Sequence, residues 1–192
     1  MSADLILASA SPRRRELLEQ IGVTYEVMPV DIDETPLSNE RALAYVERIA
    51  AEKARVCHSF NKLDKPVLAA DTAVVLDDCI MGKPEDFEHA RQMLLALSGR
   101  THRVYSAIVL GMGNDFQQAV SITEVTFRSL TEDEIAAYWQ TGESADKAGA
   151  YAVQGVGSIF IESIKGSYSG VMGLPLFETA QLLQQQGIKV LK

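Results

Sequence analysis

Asp71 stands between "VLAA" and "AVVL", a carboxylate inside an otherwise apolar run. Burying such a group is costly unless it is paired, hydrogen-bonded or bound to a metal. It is therefore either a satisfied structural aspartate at a strand bend or a catalytic base or metal ligand, and the second reading is favoured. Lys53 is a second anomaly. Val46, Ala50, Lys53 and Cys57 follow 4, 3, 4 spacing and share one helix face. A lysine there either snorkels from the core edge or points into a site. Glu34 lies in the acidic, turn-rich "PVDIDETPLSNE". Lys83 follows Gly82 and precedes Pro84 at the mouth of a helix, where a cation and a helix N-terminus together seat an anion. Singly these signals are weak. Together they put two carboxylates and several cations at element ends, which is the equipment of metal-assisted chemistry on a polyphosphate.

The elements that must position these residues can be read along the chain. Leu5 to Ala8 form a short buried strand. Ser11 is the expected N-cap and Pro12 the first helical residue of a helix that Gly22 ends. "VTYEVM" alternates as a strand, and residues 29–40 are expected to be a mobile surface loop. Ser38 or Asn39 caps a long helix through Cys57. Residues 65–78 form an apolar strand. Phe87, Ala90, Met93, Leu94 and Leu97 mark one face of the next helix. "THRVYSAIVLGM" and "AVSITEVTFRSL" are long strands joined in a hairpin. Thr131 and Glu134 form a capping box. Gly-punctuated extended structure follows, and "GLPLFETAQLLQQQG" is the last helix. The expectation is a single α/β domain over residues 1–192, built on a mixed twisted sheet with flanking helices.

Bulk properties exclude several functions. The 192 residues suffice for a real core. The formal charge of −8 argues against a broad duplex nucleic-acid face. With 7% aromatic residues, the stacking platforms of a single-strand binder are also missing. No apolar run approaches the ~20 residues that span a bilayer, and "MSADLILAS" has no basic leader. Two cysteines, Cys57 and Cys79, fit a reducing cytosol, so the expected location is cytoplasmic. There is no GxxxxGK[ST] loop, and "GMGNDF" and "GVGSIF" lack the last glycine of GxGxxG. His58, His89 and His102 have no ligand spacing, two cysteines are too few for a structural zinc site, and no GxSxG elbow is present.

The stretches "LILASASPRRRELL", "DIDET", "AAEKA", "AADTAVVLDD", "GKPED", "LSGRTHRVYSA", "DKAGAYAVQG" and "GLPL" follow in order from residue 5 to residue 176. In that order they resemble the Maf family of nucleoside triphosphate pyrophosphatases, over nearly the whole chain. The resemblance implies a two-lobed fold with a central cleft, like that of the inosine triphosphate pyrophosphatases. It implies hydrolysis between the α and β phosphates to a monophosphate and pyrophosphate. Asp71-Thr72 and "DKAGAYAVQG" resemble the branch acting on dTTP and UTP, with modified pyrimidine nucleotides as further candidate substrates. The role implied is exclusion of non-standard nucleotides from nucleic acids. Carried over residue by residue, Asp71 matches the proton acceptor, and Arg13, Thr72 and Gln154 match positions tied to substrate choice. Ser9, Ser11, Arg14, Lys53 and Lys83 match phosphate contacts. Glu34 with Asp71 matches the metal position, for Mg²⁺ or Mn²⁺, with Co²⁺ as a third candidate. The partner implied is a small-molecule nucleoside triphosphate, with neither nucleic acid nor membrane, and a homodimer is compatible with it. The alternative is a nucleotide-binding regulator of septum formation without essential catalysis, which leaves Asp71 within its apolar strand unexplained.

Two physical expectations follow. One primary amide at Gln154 offers a donor and an acceptor to the carbonyl and N–H that uracil and thymine present side by side. Cytosine reverses that pattern. Arg13, Arg14 and Arg15 lie ~100° apart on the first helical turn, so Arg13 and Arg14 should face the ligand and Arg15 the solvent.

Overall fold

The central strand of the computed structural model, which describes residues 3–60 and 65–191, is β3 (Val67–Leu76). Covered on both faces, it carries an almost unbroken apolar sequence instead of an alternating one. Its residues 67, 69, 73 and 75 join the cluster under α2 (Ala42–Phe60), while Leu68 and Ala70 join a second cluster on the opposite face. By that alternation Asp71 points toward α2 and Thr72 away from it.

Around β3 the sheet runs β2 (Tyr25–Val27), β1 (Leu5–Leu7), β3, β5 (Thr101–Met112), β6 (Asp115–Phe127) and β7 (Ile161–Lys165), and β4 (Cys79–Met81) also pairs with β3. β1 is parallel to β2 and β3, while the other pairings are antiparallel. This is the expected mixed sheet. β5 covers one edge of β3 from Val67 to Val75. β1 and β4 must therefore share the other edge. β1 pairs only with Val67 and Leu68, and β4 only with Val74, Val75 and Leu76. Residues 69–73 have no neighbouring strand on that edge among the described residues. The chain changes strand direction across this gap, the place where open α/β sheets form ligand crevices.

Local rules account for most of the helices. α1 (Pro12–Gln20) starts with Pro12 after Ser11, as expected. α3 (Phe87–Leu97) buries Ala90, Met93, Leu94 and Leu97, and Asp86 caps it by accepting from the His89 N–H. The Thr131–Glu134 capping box opens α4 (Glu132–Gln140). α6 (Leu176–Gln185) closes the chain.

Four expectations need correction. Ser38 and Asn39 form a turn, and α2 begins later, at Ala42. The strand expected over residues 65–78 is β3, Val67–Leu76, and Asp77 and Asp78, both with positive φ, turn the chain into β4. The stretch after α4 is not simply extended: residues 148–150 and 156–160 form 3₁₀ turns. α5 (Tyr168–Met172) is five residues with a central glycine, too short for periodicity to reveal.

The loop of residues 29–40 lacks regular structure but is pinned to α2. Tyr45 donates to the Glu34 carbonyl, Arg48 donates to the Thr35 carbonyl, and Arg48 grips both Glu40 oxygens at 2.7 Å. The expected mobility conflicts with these anchors. Arg48 holds the Glu40 carboxyl down at about 2.

His102 is buried against Phe127 and Tyr151, with Nε2 2.8 Å from the Tyr151 hydroxyl and Nδ1 without a partner among the described residues. Burial pushes its pKa down to about 4. The unfolded imidazole binds a proton below its ordinary value near 6.5, while the folded one stays neutral until about 4. Stability is thus lost as pH falls through that window, by about 3 kcal/mol for 2.5 pH units. Urea unfolding at pH 7 and pH 4 should show a loss in the wild type that is larger by about this amount than in His102→Gln, where only the carboxylates contribute.

Candidate active site

The gap along β3 opens into a cleft of about 470 Å³, within the size range of small-molecule sites. Ser9, Ser11, Arg13, Arg14, Glu34, Lys53, Asp71, Thr72, Lys83 and Gln154 all line it. The sequence-predicted residues are therefore brought together from six segments of the chain.

Its floor is a three-residue charge cluster. Lys53 projects from α2 toward β3, and its Nζ lies 2.9 Å from Asp71 Oδ1 and 2.9 Å from Glu34 Oε1. Lys53 and Asp71 are buried and Glu34 is half exposed. For Lys53 the alternative of snorkelling from the core edge closes here. The lysine reaches inward and compensates a carboxylate that the apolar strand could not hold alone. Two of its three donors are engaged, which leaves one for a ligand.

The first wall is the β1–α1 connection. Ser9 Oγ accepts from the Ser11 N–H at 3.2 Å and from Arg14 Nη1 at 3.1 Å. Arg14 Nε donates to the Gly173 carbonyl at 2.8 Å. Burial pushes the Arg14 guanidinium below its ordinary value; Asp71 and, more weakly, Glu34 pull it back, and Arg13 adds to the lowering. Ser11 makes no side-chain cap bond, so its hydroxyl and the first-turn N–H groups are left to a ligand. Arg15 does not line the cleft. It is half-buried rather than solvent-facing, with Nε enclosed and no partner among the described residues.

A second wall, bonded to the first through Arg14 and Gly173, combines α5 and the turns after α4. Ser106 Oγ donates to the Gly170 carbonyl at 2.6 Å and lies 3.0 Å from Thr72 Oγ1. Ser106 has one proton, so Thr72 must donate to it, and Thr72 then offers only acceptor lone pairs to the cleft. Gly173, at φ +115, lies against both Arg14 and Thr72. Gly149 has φ +67, and any Cβ there would meet Val74 at 2.9 Å, so that turn admits only glycine.

Lys83 is exposed and sits four residues before α3, whose N-terminus Asp86 already caps. The expected anion seat at that helix mouth is therefore absent, and Lys83 serves the cleft as a loose cation. Its segment is tied across by the Gly149 N–H donating to the Gly82 carbonyl. Lys147, Asp146 and Tyr151 also line the cleft and were not singled out from the sequence. The signal was the charged pair directly before the glycine turn in "DKAGAY". Lys147 is ion-paired with Asp146. In all, five cations and three carboxylates line the site of an acidic chain.

Among the described residues, no three His, Cys, Asp or Glu side chains form a metal cluster. Among the described residues, no helix is long and apolar enough to cross a membrane either.

A family model described as Maf-like protein matches residues 4–186. Relatives called dTTP/UTP pyrophosphatase include one from Methylococcus capsulatus, 55% identical over 96% of this chain and 91% of its own length. A second, from Methylobacillus flagellatus, is 52% identical over 97% and 94%. A third, from Nitrosospira multiformis, is 51% identical over 97% and 96%. Among solved structures, a HAM1 protein from Coxiella burnetii aligns over 66% of this chain and 73% of that one, at 20% identity and a TM-score of 0.48.

The charge cluster makes a stability prediction. Lys53→Met strands the buried Asp71 carboxylate and should cost about 3 kcal/mol in urea denaturation. Asp71→Asn in the same chain should recover most of it, because the stranded charge is then gone. A loss under about 1 kcal/mol in the single variant would contradict a compensated buried pair.

Proposed function

The chain belongs to the Maf-like protein family, and from that premise we propose that it hydrolyses dTTP and UTP to the monophosphate and pyrophosphate. The observation that carries this reading is the Asp71–Lys53–Glu34 cluster at the strand gap, in a cleft rich in cations. The names of relatives about half identical over nearly the whole chain support the substrates.

Asp71 is the proton acceptor. It takes a proton from a water whose oxygen bonds to the α phosphorus, while the bond from that phosphorus to the α–β bridging oxygen breaks. The electron pair leaves with pyrophosphate. Lys53 remains bonded to Glu34 while Asp71 changes charge, so the cluster is never without a compensating cation. Arg13, Lys83, the third Lys53 donor and the Ser11 hydroxyl offset the phosphate charge, in the manner of preorganised phosphoryl-transfer sites. Arg14 holds the β1–α1 wall against Gly173 and Ser9.

A divalent cation such as Mg²⁺ or Mn²⁺ suits Asp71 and Glu34. Both are hard oxygen donors that meet on one ammonium, and no further carboxylate or histidine completes a cluster among the described residues. With two protein carboxylates to hold it, such a cation would leave room for water and substrate phosphates. When bound, it neutralises phosphate charge and makes water more acidic. Co²⁺ is the third candidate. The thiols of Cys57, buried, and Cys79, exposed, are both free and support a reducing, cytoplasmic setting.

Gln154 is exposed on the cleft rim and reads the carbonyl and N–H edge of uracil and thymine. Thr72 adds an acceptor beneath. Neither distinguishes the thymine methyl, so both nucleotides are accepted.

Mixing the protein with dTTP and Mg²⁺ should release pyrophosphate; binding without release would leave only the non-catalytic regulator. Asp71→Asn should fold normally and lose about 100-fold or more in turnover, the usual weight of a general base. Near-normal turnover would remove Asp71 from that role. Gln154→Glu should lose about 10- to 100-fold in kcat/KM for dTTP and UTP without a change in melting temperature. Unchanged dTTP turnover would remove Gln154 from base reading.

A further inference from the structure

Gln154 stands on a turn, "VQGVG" over residues 153–157, whose backbone sets where its side chain can meet a base. What holds it lies beyond the cleft, at the end of α4. Glu143 follows Gly142, which leaves the helix with φ +73. Its Oε2 accepts from the Val156 N–H at 2.9 Å and its Oε1 from the Gly157 N–H at 2.9 Å. Tyr138 donates to the same Oε1 at 2.7 Å, and its hydroxyl accepts from the Ala152 N–H at 3.1 Å. The pair thus grips the backbone on both sides of Gln154: Ala152 before it, Val156 and Gly157 after it.

The two glycines of the turn fit this grip. A Cβ at Gly155 would fall 1.8 Å from Glu143 Oε2, and one at Gly157 would fall 2.7 Å from the Tyr138 hydroxyl. Neither glycine has a positive φ, so backbone conformation does not demand them; the clamp does. Burial alone would raise the Glu143 carboxyl, but the Gly157 N–H, the Tyr138 hydroxyl and the Val156 N–H hold it below its ordinary value, with Lys147 adding to the effect. It is a charged acceptor for two backbone donors, the stronger class of hydrogen bond.

We propose that Glu143, steadied by Tyr138, is a positioning residue that sets pyrimidine selectivity by fixing the turn that carries Gln154. This rests on the reading of Gln154 as the base-contacting residue. Glu143 does not line the cleft, so its influence passes through the backbone of residues 152–157 and not through the phosphates or Asp71.

Three variants test it. Glu143→Ala removes the clamp. Glu143→Gln keeps its shape and part of its accepting capacity. Gly155→Ala displaces the carboxylate, a flexible side-chain end, from a backbone conformation alanine can adopt. Pyrophosphate release from dTTP and dCTP is followed across substrate concentration, with inhibition by added pyrophosphate as a control for the phosphate side. Glu143→Ala and Gly155→Ala should raise KM for dTTP about tenfold or more and narrow the preference for dTTP over dCTP. They should keep kcat within about threefold, a difference under 1 kcal/mol, with inhibition by pyrophosphate unchanged. Glu143→Gln should fall between them and the wild type. Combining Gly155→Ala with Glu143→Ala should cost little more than either alone, because both remove one interaction. Should Glu143→Ala fold poorly, Gly155→Ala carries the same comparison. Wild-type KM and selectivity in a folded Gly155→Ala, or a parallel fall in kcat for both nucleotides, overturns the proposal. A wild type that releases pyrophosphate from no nucleotide overturns the parent reading instead.

Discussion

The site depends on a break in pairing along one strand. β3 is bonded to β5 along its length, but on its other edge β1 leaves after Leu68 and β4 arrives only at Val74. Had β1 been three residues longer, it would have covered Asp71, and the chain would have a buried carboxylate with no access to a ligand. Because β1 ends early, its continuation through Ser9 and Ser11 turns into α1 beside the exposed edge. The serines, the first-turn amides and the arginines arrive where β3 is open. The apolar sequence of β3 fixes it in the sheet, and the gap turns its one polar pair, Asp71 and Thr72, to use on opposite faces.

That placement forces the rest of the electrostatics. A carboxylate in the middle of a central strand needs a cation, and the alternation of β3 directs it toward α2, where Lys53 occupies the position facing it. Lys53 in turn reaches Glu34, on a loop without regular structure, and that loop can hold Glu34 in register only because Tyr45 and Arg48 tie it to the same helix. α2 therefore does three jobs through residues one to two turns apart: it buries Val46, Ala50, Ala54 and Cys57, compensates Asp71, and fixes the acidic loop.

How much of this could be read in the sequence follows from the range of each interaction. Pro12, the Thr131–Glu134 box and the 4, 3, 4 spacing around Lys53 are local, and each was legible. Asp71 was legible as an anomaly because it violates the pattern around it. The pairing of Lys53 with Asp71 and Glu34 was not, since it depends on strand register and on how α2 docks. The clamp by Glu143 was hidden for a similar reason: a glutamate after a helix looks solvated, and Gly155 and Gly157 look like ordinary turn residues until the carboxylate and the hydroxyl behind them are seen. Lys83 misled because proximity to a helix in sequence says nothing of whether Asp86 already occupies its cap.

The five cations of the cleft are not equivalent, and the division explains how an acidic chain can seat a polyanion. Lys53 and Lys147 are committed to carboxylates, and Arg14 is hydrogen-bonded to neutral oxygens of Ser9 and Gly173. Arg13 and Lys83 enter no ion pair among the described residues, and both line the cleft. The committed cations keep the acids of the cleft from repelling a phosphate, while the uncommitted pair meets it. A cleft built only of free cations would bind phosphate but could not hold a carboxylate poised beside it. One with every cation paired would hold the carboxylate but offer little to the triphosphate. Splitting the set lets a general base and a polyanion share one small space, and the net charge of the rest of the surface has little bearing on it, since exposed charges farther than about 8–10 Å are screened at ordinary ionic strength.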